Sequence, residues 1–438
     1  MRAWLWRLRV AMRDGRISRQ RRVLQALAAR ASVRDGWWRR NPARTIMSWF
    51  SVAARPFVHV DAVIVGDDQV RAALADPRVR APYDQSTRGL GLRFALTEVD
   101  AERHHEARER LAVAMSSPGG RLYDEAMRRA VRVAERAVVG GNGHLDLIGE
   151  LLIPAASEFT VHWLGIGGKG FGPDLNNAIY QWTQSIFTHV FLNPKLPGAK
   201  RSALLEEMAD DHCAAFRQHL RDLLTNHEIR PESAAECLSR GNVDRWLDDV
   251  IGMASGSIPN LVWAGSNVVD ELLRQPKFLR TWCPESAGAV EPVVRESLRL
   301  QPTAPALNRR TLVDVTIPLR APRHGRVVRH GNVVVVTSSA ELDSCSHLNS
   351  LRFEPSRAPV AEQLLTFGSG MHRCIAAQFA PSVLANMLFP LFACGGLRRG
   401  RVAGMPVADP LLWSGRVAVR RPDVPGRFVV NYSVGRAK

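Results

Sequence analysis

The sequence has few cysteines and does not cluster them. Six are spread over 438 residues, with no CxxC pair and no zinc-ligand spacing. This pattern argues against a disulfide framework and against a structural zinc site. A reducing cytoplasm is the compartment that fits it best. The six are Cys213, Cys237, Cys283, Cys345, Cys374 and Cys394.

Long hydrophobic runs are also missing. No apolar stretch approaches the roughly 20 residues that a membrane-spanning helix needs, and arginines interrupt the region where a signal peptide has its apolar core. The sequence therefore predicts a soluble protein with a basic N-terminal segment, residues 1–45. Trp4, Leu5 and Leu8 share one helical face there. That face suits either peripheral contact with a membrane or packing against the protein body, which is the commoner arrangement.

Nucleic-acid motifs are absent as well, although the formal charge is +17. The 59 Lys and Arg residues are spread along the whole chain, whereas nucleic-acid-binding proteins concentrate them on one surface. We therefore expect no nucleic-acid partner, which leaves an acidic protein or an anionic membrane. A chain of this length and composition can form two or three domains, or one large domain with a deep interior site.

The most informative stretch, residues 367–376, reads FGSGMHRCIA. A cysteine that presents a thiolate to a metal needs an open turn, N–H groups aimed at the sulfur and positive charge nearby. Gly368 and Gly370 permit a tight turn with positive φ, and His372 places a donor beside Cys374. The loop therefore predicts a thiolate ligand for a metal.

Two features flank this cysteine. Phe367 can shield the thiolate from water, and Arg373 adds positive charge. The run that follows, residues 375–387, predicts a helix that points its N-terminal dipole at the sulfur and is kinked at Pro381. The alternative is that Cys374 is a buried structural cysteine, the commoner fate of a lone cysteine.

Two charged pairs stand at helical spacing. His104 and Arg108 are four residues apart, and Glu296 and Arg299 are three apart, so the members of each pair share a helix face. The first pair suits either an anion site or a solvated charged face. The second can form a buried ion pair, although Glu-x-x-Arg also occurs often by chance.

Apolar alternation and periodicity predict the other elements. Predicted strands cover residues 57–66, 309–315 and 331–337, and predicted helices cover residues 67–75, 145–164, 180–191 and 291–300.

Taken in order, these motifs resemble the cytochrome P450 family. The family's haem loop reads Phe-x-x-Gly-x-Arg/His-x-Cys-x-Gly, and the chain departs from it only at Ala376, where the family usually has Gly. The resemblance covers residues from about 100 to 377 and includes an Asp-x-x-x-His-x-x-x-Arg stretch that ends at Arg108 and the Glu-x-x-Arg pair. It implies an α+β fold, mostly α-helical with small β-sheets, with one catalytic domain over residues 46–438 and haem b as cofactor.

The resemblance also implies roles for particular side chains. Cys374 is implied as the ligand of the haem iron, and Glu296 and Arg299 as a structural pair. The residues implied to hold the propionates are His104, Arg108, Arg309 and His372, and those that shape the haem loop are Phe367, Gly368, Gly370 and Ala376.

The resemblance also implies a long central helix over residues 248–276, and there the chain departs from the family. The family carries Ala/Gly-Gly-x-Asp/Glu-Thr there, an acid and an alcohol that pass protons to bound dioxygen. One alignment places this motif at residues 256–260, so that Pro259 replaces the acid and Asn260 the alcohol, and the other places it at residues 264–268. Both lack the pair, and Pro259 also predicts a kink because it has no backbone N–H.

The implied activity is that of a haem-thiolate monooxygenase acting on a small, largely apolar molecule. Electrons would come from an acidic ferredoxin or flavoprotein, and we expect a monomer. The atypical helix leaves a peroxide-dependent peroxygenase or a peroxide-rearranging enzyme as an alternative, and a non-catalytic haem-binding sensor is another. The substrate is set by a few distal side chains that the sequence does not place.

Overall fold

Most of the chain that the structure describes is helical. This computed structural model describes residues 60–64, 67–94, 97, 100–116, 119–192, 203–239, 242–304, 306–317, 326–331, 333–337, 352–357, 363–400, 411–414, 417–420 and 428–433. The helices are α1 (Asp67–Ala75), α2 (Asp84–Gly89), α3 (Ala101–Ser116), α4 (Gly119–Gly140), α5 (Ile153–Leu164), α6 (Pro173–Phe187), α7 (Ala203–Thr225), α8 (Ala234–Ser239), α9 (Val243–Leu273), α10 (Pro276–Thr281), α11 (Ala287–Leu300) and α12 (Ala380–Ala393). Two π-helical segments, Leu147–Leu152 and Thr188–Leu192, precede α5 and follow α6.

The strands are short and form small sheets. They are β1 (Val60–Ile64), β2 (Val79–Arg80), β3 (His144–Asp146), β4 (Ala306–Thr311), β5 (Val315–Ile317), β6 (Arg326–Val328), β7 (Val333–Thr337), β8 (Arg398–Arg399), β9 (Leu411–Ser414), β10 (Val417–Arg420) and β11 (Val429–Asn431). The four-stranded sheet has the order β1-β7-β4-β2, with β1 parallel to β7 and the other pairs antiparallel. The order β3-β11-β8 gives a second sheet, and β5–β6 and β9–β10 are antiparallel pairs. These elements confirm the predicted α+β, mostly helical fold.

Helix α9 passes through the core, where most of its residues are buried. Close packing against neighbouring side chains depends on two of its glycines. A Cβ added at Gly252 would lie 2.0 Å from Cδ2 of Phe94, and one added at Gly265 would lie 2.6 Å from Cδ2 of Leu152. The position of α9 is therefore determined by direct backbone contact with its neighbours.

A second, smaller core holds the sheet against α1. Val70 and Leu74 of α1 pack there with Val79 of β2 and with Leu365, which lies just before the cysteine loop. The sheet, α1 and the loop therefore share one apolar cluster, which fixes the loop relative to the sheet.

The predicted helix at Asp67–Ala75 is confirmed, and the helices predicted at residues 248–276 and 291–300 correspond to α9 and α11. The predicted continuous helix over residues 145–164 is wrong at its start. That segment begins with β3, which pairs with β11, and continues as a π-helix before α5. The chain of β11 is nearly 300 residues away, so local periodicity carried no signal for this pairing.

The predicted helix after Cys374 is also wrong in its bounds. Residues 375–379 form turns, and α12 begins at Ala380, so that Pro381 stands in the first helical turn. Proline is favoured there because its missing N–H has no partner in the first turn anyway. Pro381 therefore starts the helix instead of kinking it.

Residues 1–45 and 338–343 lie outside the described residues. Within the part of the chain that is described, no helix is both long enough and apolar enough to cross a membrane.

Candidate functional site

The cysteine loop is a tight turn that closes on itself. Gly368 and Gly370 adopt φ of +73° and +69°, in the left-handed region that glycine enters without strain. The Cys374 N–H donates to the Phe367 carbonyl over 2.7 Å. A Cβ added at Gly370 would lie 2.2 Å from the Leu74 carbonyl oxygen, so this glycine also lets the loop rest on α1.

The Cys374 thiol lies in a recess: solvent reaches the side chain, yet the surrounding protein desolvates it enough to raise its pKa. The Ala376 backbone N–H and the charges of Arg108 and Arg373 oppose this rise, but they are smaller than the effect of burial. The positive charge near Cys374 thus acts in the predicted direction, but burial of the thiol outweighs it. A bound metal would have to displace the proton.

Helix α3 places His104 and Arg108 against the loop. The Arg108 Nη1 donates to the carbonyl of Arg373, the residue before the cysteine, over 2.6 Å. His104 is buried, and its ring meets that of His372 edge to face with centroids 4.6 Å apart. The i, i+4 spacing thus brings both side chains to one place.

Cationic side chains gather around His372. Arg309 of β4 is buried beside it and hydrogen-bonds to Tyr83, and its charge contributes to lowering the pKa of His372 to about 2, after the larger effect of burial. His372 is therefore neutral, and neither of its buried ring nitrogens has a hydrogen-bond partner. Positive charge at this place comes from the arginines.

Arg80 of β2 was not singled out by the sequence. It is 3% exposed, and its Nε and Nη1 atoms have no hydrogen-bond partner. Its charge also lowers the pKa of His372. The signal in the sequence was a lone arginine within the otherwise uncharged residues 79–82. The structure buries all four of these residues.

The buried arginines near Cys374 fit a cofactor that carries negative charge. A buried guanidinium without an anion is costly, so the orphaned Nε and Nη1 of Arg80 and the buried Arg309 fit a ligand that carries carboxylates. No group of three or more His, Cys, Asp or Glu side chains in the described chain is arranged to hold a metal ion. A metal at Cys374 would therefore need most of its ligands from such a cofactor.

The pair Glu296 and Arg299 lies on α11 and is almost completely buried. The Arg299 Nε and Nη2 donate to the Glu296 carboxylate over 2.7 and 2.8 Å. The Glu354 N–H donates to the same carboxylate over 2.9 Å, and Arg299 also donates to the Arg352 carbonyl over 3.3 Å. The pair thereby ties α11 to residues 352–354.

The centre of α9 has one open face. Gly256, Ser257 and Asn260 are only partly buried, and a Cβ at Gly256 would meet no atom within 4 Å. The Asn260 Nδ2 donates to the Gly256 carbonyl over 2.7 Å, so the amide group turns back on its own helix. The helix continues through buried Pro259, and a bend there stays a prediction.

The other alignment of the central motif falls on residues that are packed. Gly265 lies against Leu152, Val268 is fully buried, and Asn267 donates through Nδ2 to the Gln301 carbonyl over 3.1 Å. Their contacts hold α9 in place and leave no room for a ligand, so the structure favours the alignment at residues 256–260.

The structure thus brings together His104 and Arg108, Arg309, and the pair His372 and Cys374, which come from three distant segments of the chain. Phe367, Gly368, Gly370 and Ala376 surround the cysteine, whereas Glu296 and Arg299 serve a separate contact. Pro259 and Asn260 stand on the open face of α9.

Comparison with known proteins adds independent findings. No family model matches the chain. "Cytochrome P450 130" of Mycobacterium tuberculosis is 27% identical over 310 residues, 65% of this chain, and the match spans 66% of that protein, slightly less than two thirds of its length. "Putative cytochrome P450 137" of the same organism is 31% identical over 202 residues, 44% of this chain and 40% of that protein.

Solved structures agree in fold over nearly the whole chain. The open form of cytochrome P450 EryK from Saccharopolyspora erythraea superposes with a TM-score of 0.68 at 18% identity, covering 91% of this chain and 98% of that one. CalO2 superposes with a TM-score of 0.67 at 20% identity, with the same coverage. The shared fold and the named relatives lead to one conclusion: the chain has the cytochrome P450 fold and is similar in sequence to members of that family.

Proposed function

We propose that this protein is a haem-thiolate monooxygenase that oxidises a small, largely apolar organic molecule. The observation that carries the proposal is the recess at Cys374, where a thiol and buried arginines face a place that the protein's own anions do not fill. Haem b supplies a metal for the sulfur and two carboxylates for the arginines. When bound, the haem supplies the activation of oxygen, favoured by electron donation from a thiolate.

The chain's own residues then have separate tasks. Cys374 would hold the iron through its sulfur, and the Ala376 N–H together with the charges of Arg108 and Arg373 would stabilise the sulfur as an anion. Arg309 and the neutral His372 would bind propionates, with His104 packed against the histidine ring. Gly368 and Gly370 would leave room for the cofactor beside the loop.

The open face of α9 is the distal wall in this proposal. Neither Pro259 nor Asn260 can take up or release a proton near neutral pH, and the Asn260 amide already donates to its own helix. Protons for dioxygen must then come from water or from the substrate. The same observation favours a second candidate, a peroxygenase, because a peroxide brings its own protons.

Electron delivery is part of the monooxygenase proposal only. An acidic ferredoxin or flavoprotein suits a chain with a formal charge of +17, since opposite charges speed the encounter. The monomeric state stays a prediction.

The first experiment concerns the iron ligand. The ferrous protein with carbon monoxide should show the red-shifted Soret band that a thiolate ligand causes, and Cys374→Ser should lose it. Cys394→Ser is the matched control, because Cys394 is also partly enclosed but lies at the end of α12, away from the loop. If both variants keep the band, Cys374 is not the ligand.

The second experiment separates the oxidants. Product formation with NADPH and redox partners supports the monooxygenase, whereas turnover with hydrogen peroxide alone supports the peroxygenase. A protein that binds diatomic ligands but gives no product under either condition would support a sensor instead.

A further inference from the structure

Arg80 is a buried cation without a hydrogen-bonded anion. It is 3% exposed, and two of its three guanidinium nitrogens, Nε and Nη1, have neither a protein partner nor contact with solvent. Burial of an uncompensated charge is strongly unfavourable. A side chain of this kind is expected only where a ligand completes the site.

The carboxylates nearest to Arg80 are already engaged. Asp76 accepts three hydrogen bonds from Arg78, through its backbone N–H, Nε and Nη2, over 2.8 to 2.9 Å. Asp100 accepts the Arg103 N–H at the start of α3 over 3.0 Å. Both raise the pKa of Arg80 from a distance, but burial lowers it by more.

A third acid, Asp84, accepts from Nη2 of Arg310, the residue paired with Arg80 across β2 and β4, over 3.3 Å. The neighbouring acids therefore do not neutralise Arg80.

The fold places Arg80 close to the cysteine loop. Its neighbour Val79 packs in one apolar cluster with Leu365, just before the loop, and with Leu74, on which Gly370 rests. Strand β2 also pairs with β4, the strand that carries Arg309. The two carboxylates of a haem would bring negative charge to this region, and a buried guanidinium such as that of Arg80 can pair with one of them.

We infer that Arg80 is a further haem-binding residue, whose guanidinium pairs with a carboxylate of the bound cofactor. The inference rests on the proposed function, since it requires haem at this site. It adds a cation that the resemblance to the family did not assign, and it explains a buried orphan group that the fold alone does not.

The test measures haem retention by the purified holoprotein. Arg80→Leu should transfer haem to excess apomyoglobin roughly ten- to hundredfold faster than the parent, the range expected for loss of one charge-assisted hydrogen bond. Its reduction potential should also fall, because loss of a nearby positive charge favours the ferric state. Arg80→Lys keeps the charge and should recover part of both properties.

Arg78→Leu is the matched control. Arg78 lies two residues away and is 54% exposed, and its partner is Asp76, so its loss should leave haem transfer and potential unchanged. Arg80→Lys also keeps the test usable if Arg80→Leu does not fold. Haem transfer from Arg80→Lys that is faster than from the parent supports a guanidinium–carboxylate pair. Haem transfer and a reduction potential equal to those of the parent would show that the bidentate guanidinium is not needed.

The two proposals fail in different ways. A parent protein that contains no haem, or that lacks the thiolate band, overturns the proposed function. A parent with haem and the thiolate band, combined with Arg80→Leu and Arg78→Leu variants that release haem equally fast and share one potential, overturns the role of Arg80 alone.

Discussion

Substitution of Glu296 by Gln tests the buried ion pair most directly. The Glu296 side chain is completely buried and that of Arg299 is 5% exposed. Glu296→Gln keeps the shape and one acceptor oxygen but removes the negative charge that pairs with the Arg299 guanidinium. Removing one partner of such a pair costs about 3 to 5 kcal/mol, so the free energy of unfolding should fall by about that amount.

Urea unfolding followed by helical circular dichroism measures the loss. Glu232→Gln is the control, because it breaks a pair with Arg121 in which the side chains are 65% and 80% exposed. An exposed pair contributes at most about 1 kcal/mol. The two variants should therefore differ severalfold in their effect.

A double variant, Glu296→Met with Arg299→Met, tests the physical cause. Because both charges leave together, its destabilisation should be much smaller than the sum of the two single losses. The reasoning is refuted if Glu296→Gln costs no more than Glu232→Gln, or if the double variant equals that sum.

Three further outcomes follow from the geometry. Gly370→Ala should greatly reduce haem content, because the new Cβ would overlap the Leu74 carbonyl. Gly331→Ala is the control and should retain haem, since Gly331 also has positive φ but a Cβ there would meet no atom within 4 Å. Equal haem content of the two variants in a pyridine haemochrome assay would contradict this. Arg230 and Arg129 lower the pKa of Glu125 to about 2. Glu125→Gln should therefore lower the free energy of unfolding by about 1 kcal/mol above pH 4.5, a modest value because the carboxylate is 29% exposed. That difference should disappear as the pH falls from 4.5 toward 2, since stability from a carboxylate of lowered pKa is lost on protonation; a difference in urea midpoint that is constant with pH would show that charge is not its cause. Asn260→Thr should increase the product formed per NADPH consumed, because it places a hydroxyl at the family's alcohol position on the open face of α9. Asn267→Thr, at a packed position, should leave this ratio unchanged. An identical ratio in both variants would argue against Asn260 facing the reaction.

Local patterns were sufficient for much of the site. The positive φ of Gly368 and Gly370, the His104 and Arg108 face and the Glu296–Arg299 pair depend on residues at most a few positions apart, so their spacing carries the information. The order of these motifs along the chain was enough to indicate the family. That Pro259 and Asn260 replace the acid and the alcohol of the family motif was also visible before any fold was known.

Other features depend on contacts between distant segments. The rise in the pKa of Cys374 is a consequence of burial, which nearby sequence cannot report. The start of α12 at Ala380 and the strand at β3 were misjudged, because the first depends on how the loop packs and the second on pairing with β11.

The sequence by itself therefore determined the identity of the thiol, the charged residues and the helices that carry them, because each of these is written in short-range spacing. Only the tertiary structure decided that Arg80 lies buried beside His372. Its strand is two residues long and gains its position from β4, more than 200 residues away. Burial and proximity of charges arise when distant segments meet, and here they leave the Arg80 guanidinium buried without a hydrogen-bonded anion.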